Sequence, residues 1–273
     1  MMQSILLVLG VLVFAIGCRT FRHPFIRKIG TLSIVAATFL VGYFLFGNSL
    51  PAGLLATLLW VLLPWVDILT RIRNMRLPLD KPLRHRHPPS RDSFPHLADF
   101  TDEIEEEGYT QTSDTGWDWD DMSQFVRTFY HEETKSQAGI YYNEQQHIAF
   151  SYIGISTRTT DGQVYTSWNY PFANTMRIAP QIHFNRVTDI TTFAELIDAH
   201  EFYLLRERIL PENIQAIEPE EIRPLMEKDL RLQIDHNLDM GLIRLSGNGT
   251  FRYSWRGLFF LWCQFLKDMV KLS

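Results

Sequence analysis

Cysteine is almost missing from this chain: Cys18 and Cys263 are the two in 273 residues. That excludes a disulfide-framed miniprotein and any Cys-based metal site with close ligand spacing. Acidic side chains are equally scarce in the first 91 residues, where Asp67 and Asp80 face eleven Lys and Arg. Before the first apolar run, Met1-Met2-Gln3-Ser4 has no charged side chain, so the basic segment that opens a secretory signal is lacking. The run is therefore expected to be retained as a membrane helix, and Cys18, after Ala15-Ile16-Gly17, to end that helix rather than to carry a lipid. No motif that fixes a reaction, a metal or a cofactor is found.

Long apolar runs, in contrast, are present at Ser4 to Cys18, Thr31 to Gly47 and Leu50 to Leu69. At 1.5 Å per residue the second and third match the roughly 30 Å of a bilayer's hydrocarbon, and the first is a little short. The uncharged link Gly47-Asn48-Ser49-Leu50-Pro51 turns the second into the third. The mean hydropathy of -0.09 and net charge of -5 thus average over opposite segments. Residues 1–91 carry a net +9, which leaves 15 basic and 29 acidic residues, a net of -14, for 92–273.

Lys and Arg in short flanks orient spans. Arg19, Arg22, Arg27 and Lys28 lie between the first two runs, and seven basic residues from Arg71 to Arg91 follow the third. Both flanks are expected inside, which places the N-terminus outside and residues 71–273 in the cytoplasm, on a bacterial-type inner membrane. Arg71, Arg73 and Arg76 would then meet anionic head groups, at about 1 kcal/mol per basic residue. Pro78, Pro82, Pro88 and Pro89 forbid a regular helix, so 78–92 reads as a solvated linker. The expected divisions are an anchor at 1–70, a linker at 71–92, an α+β domain at 93–210 and a helix-hairpin-helix segment at 211–273.

Within the acidic body, Ser93 to Glu107 has helical spacing, with Phe94, Leu97, Phe100 and Ile104 on one face and Gly108 as a stop. Asp114 to Asp121 reads as a loop. Its four aspartates lack the glycine and glutamate positions of a calcium loop, so no metal is assigned. Trp117 and Trp119 are candidates to meet a partner, as is Trp168 further on. From Phe125 to about Ile182 the pattern is that of strands, with a hairpin at Asp161-Gly162, and predicts a meander of four or so antiparallel strands flanked by helices.

Thr192 to Arg208 and Pro219 to Asp239 have helical spacing. His200 lies by the apolar stripe of the first, where a hydrogen-bonded core histidine is the default and a general base the exception. A hairpin around Ser246-Gly247-Asn248-Gly249 and a helix from Gly257 to Leu272 complete a winged-like order without the preceding helix-turn-helix. Trp262, Lys267 and Lys271 of that last helix suit the bilayer interface or a face docked on the spans.

The expected fold is thus a three-helix transmembrane anchor plus an α+β domain. Its expected role is that of an interaction or regulatory protein, binding a protein partner, a second copy or a small ligand. The alternative is a membrane-bound hydrolase or transferase with His200, His147 or His183 and Asp118 or Asp120 assembled across the domain. An acidic body argues against nucleic acid.

Overall fold

The structure, a computed structural model, describes residues 2–21, 23–145, 148–187 and 190–272, with the backbone alone at Pro24, Arg27, Val270, Lys271 and Leu272. In chain order its helices and strands are α1 (Met2–Thr20), α2 (Pro24–Leu45), α3 (Leu50–Thr70), β1 (Leu77–Pro78), β2 (Arg84–His85), α4 (Leu97–Glu106), β3 (Thr110–Trp119) and β4 (Met122–His131). There follow β5 (Ser136–Gln145), β6 (Ile148–Arg158), β7 (Val164–Trp168), β8 (Ile182–Arg186), α5 (Phe193–Arg206), α6 (Pro219–Asp239), β9 (Ile243–Gly247), β10 (Thr250–Tyr253) and α7 (Trp255–Leu272). The chain divides into two compact units: residues 1–75, 173–176 and 252–273 form one, and 76–172 with 177–251 form the other.

In the first unit, three helices of the described residues, Met2–Thr20, Lys28–Leu45 and Leu50–Asn74, are long and apolar enough to cross a membrane. Small residues set the contact between α2 and α3: a Cβ on Gly42 would stand 2.5 Å from the Ala56 methyl carbon and 2.8 Å from the Ala52 carbonyl oxygen. Such close approach gains dispersion contacts, which in a bilayer would replace burial from water as the force between helices. Trp60 adds a bond from its indole N–H to Thr38 Oγ1, at 2.9 Å. The C-terminal helix α7 packs on α3. Trp262 donates its indole N–H to the Val61 carbonyl at 2.8 Å and stacks on Trp65 with ring centroids 5.8 Å apart. Pro64 lies inside α3 beside this contact, and a proline weakens the carbonyl ladder of the turn before it.

The second unit is built on a seven-stranded sheet in the order β2-β3-β4-β5-β6-β7-β8. All neighbours are antiparallel except β7 and β8, which run parallel. Side chains alternate across the sheet. On one face Phe125, Phe129, Ile140, Ile153 and Ile155 pack with Leu97 and Ile104 of α4 and Phe193 and Leu196 of α5. On the other, Tyr130 meets Ile217 and Ile222 beneath α6, and Arg158 pairs with Asp229. A capping box fixes the start of α5: Thr192 Oγ1 accepts from the Glu195 N–H, and the Glu195 carboxylate accepts in return from the Thr192 N–H. A second, three-stranded sheet has the order β1-β10-β9.

Several expectations change. Residues 114–119 are strand rather than loop, paired in register with β4 from Asp114↔Arg127 to Trp119↔Met122. Asp120 makes the turn with φ +53. The expected antiparallel meander is present as β4 to β7, and the sheet extends beyond it through β2 and β3 on one side and the parallel β8 on the other. The helix expected from Ser93 starts at Leu97, because Ser93 and Phe94 first turn back onto the Ser90 carbonyl. The stretch 78–92 is not wholly solvated. Leu83 is buried, its N–H bonds Glu227 at 2.7 Å, and Lys81 lies 4.6 Å over the Trp117 ring, where burial lowers its ammonium to about 8.

Candidate functional site

The strand register lines up a polar row on the face beneath α5. Ile155↔Ser167 and Thr157↔Tyr165 pair β6 with β7, and Ser167↔Asn185 pairs β7 with β8. Ser167 and Asn185 therefore stand side by side, with Thr157 a diagonal neighbour of Ser167 on the same face, and His200, on the inner face of α5, is set down among them. Its Nε2 lies 2.9 Å from Thr157 Oγ1 and its Nδ1 3.0 Å from Ser167 Oγ. Asn185 Nδ2 donates to Ser167 Oγ at 3.2 Å and to the Ala199 carbonyl at 3.4 Å. His200 is 3% exposed, and burial lowers its pKa to about 4, so the ring is neutral at pH 7.

Beside this row a pocket of about 420 Å³ opens between the β5–β6 face, α5 and the 209–214 segment. Ile155, Ile197, Leu204, Ile209 and Ile214 give it apolar walls, while Thr157 and His200 reach it from the buried row. At its other end Tyr109, Ser136 and Thr134 form a chain of hydroxyls, with Tyr109 to Ser136 at 2.7 Å and Thr134 to Ser136 at 2.7 Å. Burial pushes the Tyr109 phenol above its ordinary value. Glu133, Glu201 and Lys135 stand at the rim. A largely apolar cavity of this size with a few convergent polar groups has the make-up of a small-molecule site.

The other candidates lie elsewhere. Asp118 is exposed and accepts from Arg86 Nη1 at 2.7 Å, and Asp120 occupies the exposed β3–β4 turn. Neither belongs to the partners of His200, which are hydroxyls. His183 stacks on Tyr165 and bonds Gln163 Oε1 at 3.0 Å, while His147 lies outside the described residues. Among the described residues no group of three or more His, Cys, Asp or Glu is placed to hold a metal.

Trp117 and Trp119 are half-buried, and their indole N–H groups are taken up within the unit by Gln124 Oε1 and the Arg76 carbonyl, both at 2.7 Å. Trp168 stacks on Phe184 at 4.2 Å, inside a cluster on the opposite sheet face that includes Tyr141, Tyr152 and Tyr170. Burial raises Tyr141 to about 12. Sequence reasoning missed this cluster, although the alternation of tyrosines at 141 and 152 across two strands was a usable signal. Of the basic residues, Arg71 pairs with Asp67 at 3.3 Å and Arg73 lies 4.8 Å over the Trp255 ring. Arg76 and Lys267 are exposed, and the Lys271 side chain lies outside the described residues.

Comparison with protein-family models, with curated proteins and with solved structures returns no match.

Proposed function

We propose that the chain is a membrane-anchored binding protein whose α+β domain captures a small ligand in the pocket under α5 and passes its occupancy to a partner. The observation that carries the reading is the pocket itself, apolar in its walls and hydroxylic at its floor. The hydrolase or transferase alternative needs a base, and His200 is unsuited to that task. Both ring nitrogens are engaged by hydroxyls, neither partner is a carboxylate, and its pKa lies far below the range that serves a base at pH 7. Phe202, Leu205 and Leu210 are exposed on α5 and the segment after it, and they are the surface offered to a protein partner or a second copy.

The anchor is assigned to a bacterial-type inner membrane with the N-terminus outside and the domain in the cytoplasm, on the strength of the basic flanks. Arg71, Arg73, Arg76, Lys267 and Lys271 are assigned to the anionic head groups of the inner leaflet, with Trp262 at the same boundary. Two experiments test these assignments. In a Cys18→Ser/Cys263→Ser background, Asn48→Cys should react with an impermeant maleimide in intact cells, and Ser90→Cys only after permeabilisation; the reverse result overturns the orientation. Mass spectrometry of small molecules that co-purify with the full chain in lipid nanodiscs should find one enriched over Leu204→Trp, which fills the pocket. Equal recovery with both proteins would count against the pocket as the binding site.

A further inference from the structure

The hydroxyl protons around His200 can be traced. The Nδ2 of Asn185 faces the Ala199 carbonyl, which only accepts, so Ser167 receives a proton from Asn185. A neutral imidazole donates through one nitrogen and accepts through the other. If Nδ1 donated to Ser167, the Ser167 proton would have no acceptor at a position that is 0% exposed and does not line the pocket, an expensive arrangement that Thr157, as deeply buried but lining the pocket, avoids once the pocket is occupied. With Ser167 donating to Nδ1 instead, Nε2 donates to Thr157 Oγ1, and the Thr157 proton is left to point into the pocket that this residue lines. The second hydroxyl chain behaves alike. Tyr109, Ser136 and Thr134 hold three protons and make two bonds among themselves, and both ends of the chain line the pocket.

Ser136 and Thr157 are direct cross-strand partners on the same sheet face, and side chains so placed stand about 5 Å apart at their Cβ atoms. Whichever of the three hydroxyls carries the spare proton, it is Ser136 or is bonded to Ser136 at 2.7 Å, so it and Thr157 can address one head group. We propose that the pocket takes an uncharged amphiphile, an aliphatic chain whose carbonyl or ether oxygen accepts hydrogen bonds from Thr157 and from the hydroxyl chain of Tyr109, Ser136 and Thr134. An ammonium head has no lone pair for these donors. A carboxylate finds one lysine or arginine among the lining residues, Lys135, and two glutamates, Glu133 and Glu201, in the same lining. The volume of about 420 Å³ suits a ligand of roughly ten to fifteen non-hydrogen atoms.

The proposal rests on the reading of the domain as a ligand-binding module, and the experiment separates the two. Binding of 2-nonanone, nonanoate and nonylamine to the full chain in nanodiscs is measured by calorimetry, with lipid-only nanodiscs as the blank. The ketone is expected to bind at least tenfold more tightly than either charged probe. Thr157→Val should weaken the ketone about five- to tenfold, the loss of one hydrogen bond, and Leu204→Trp should abolish its binding. Nonanoate or nonylamine binding as tightly as the ketone, or a ketone affinity unmoved by Thr157→Val, overturns the head-group assignment while leaving the pocket reading intact. Should Thr157→Val fail to fold, the head-group comparison in the natural protein decides. No binding by any probe, or binding unmoved by Leu204→Trp, overturns the pocket reading itself.

Discussion

Replacing His200 by glutamine is expected to flatten the loss of stability on acidification. In the folded domain the imidazole is closed off from water between Thr157 and Ser167, and its pKa falls from 6.5 to about 4. Above pH 6.5 the ring is neutral in both folded and unfolded chains and adds no pH dependence. As the pH falls below 6.5 the unfolded chain takes up a proton that the folded one refuses, so stability drops until about pH 4, where both forms are charged. A shift of 2.5 pH units corresponds to about 3 kcal/mol lost between pH 7 and pH 4. With a urea dependence of about 2 kcal/mol/M, this moves the unfolding midpoint by roughly 1.5 M. Pulse proteolysis of the full chain in nanodiscs across urea and pH measures it. Asp161 and Glu195, whose carboxyls are held below their ordinary values by hydroxyl and backbone N–H donors respectively, add an acid slope to both proteins, and the difference isolates His200. At pH 7.5 His200→Gln should be less stable by about 1–2 kcal/mol from disrupted bonding, and the two curves should cross between about pH 6 and pH 5, with the variant the more stable below that. Curves that stay parallel would refute a neutral, buried His200.

Trp262→Phe removes the N–H donor to the Val61 carbonyl and keeps a ring against Trp65, so the attachment of α7 should weaken by about 1 kcal/mol and Trp262→Ala by more, read as faster proteolysis between α6 and α7. Asp229→Asn strands the poorly exposed Arg158 guanidinium and should cost about 3 kcal/mol in urea unfolding, while the double change Arg158→Met/Asp229→Leu should recover most of it. Thr192→Ala opens the capping box and should cost about 1 kcal/mol, seen as faster amide exchange in the first turn of α5. Gly42→Leu drives a side chain into Ala52 and Ala56 and should separate α2 from α3, measured as loss of a disulfide engineered across the two helices.

The elements legible in the sequence are those whose signals are local. α6 runs from Pro219 to Asp239, where a proline in the first turn and Gly241, with φ +67, mark its ends. The hairpin β9–β10 turns at Asn248 and Gly249, both at positive φ. The three apolar helices follow from run length alone. β3 was illegible for the opposite reason. Gly116 and the aspartates at 114 and 118 are poor strand formers, and partners distant in the chain hold them extended: Arg127 grips Asp114 through two bonds of 2.8 Å and Arg86 reaches Asp118. β1 and β2, two residues each, lie in a proline-rich stretch and exist only through pairing with β10 and β3. Such elements are written in the pairing and not in the periodicity.

The same division applies to the site. That His200 sits on the inward face of a helix follows from its spacing with Leu196 and Tyr203, and burial there without a charged partner already implies a neutral ring. The pocket draws on Tyr109, the β4–β5 turn, the end of β6, α5 and the 209–214 segment, five stretches spread over about a hundred residues, and no spacing joins them. Ser136 and Thr157 become neighbours only once the register of β5 against β6 is set, and a slip of one residue would put them on opposite faces. The donors that give the pocket its preference for an uncharged acceptor are thus a property of register. Threonines and serines are common in strands and unremarkable singly; the register that places Thr157 under a histidine whose other nitrogen is already engaged is what leaves one proton facing the cavity.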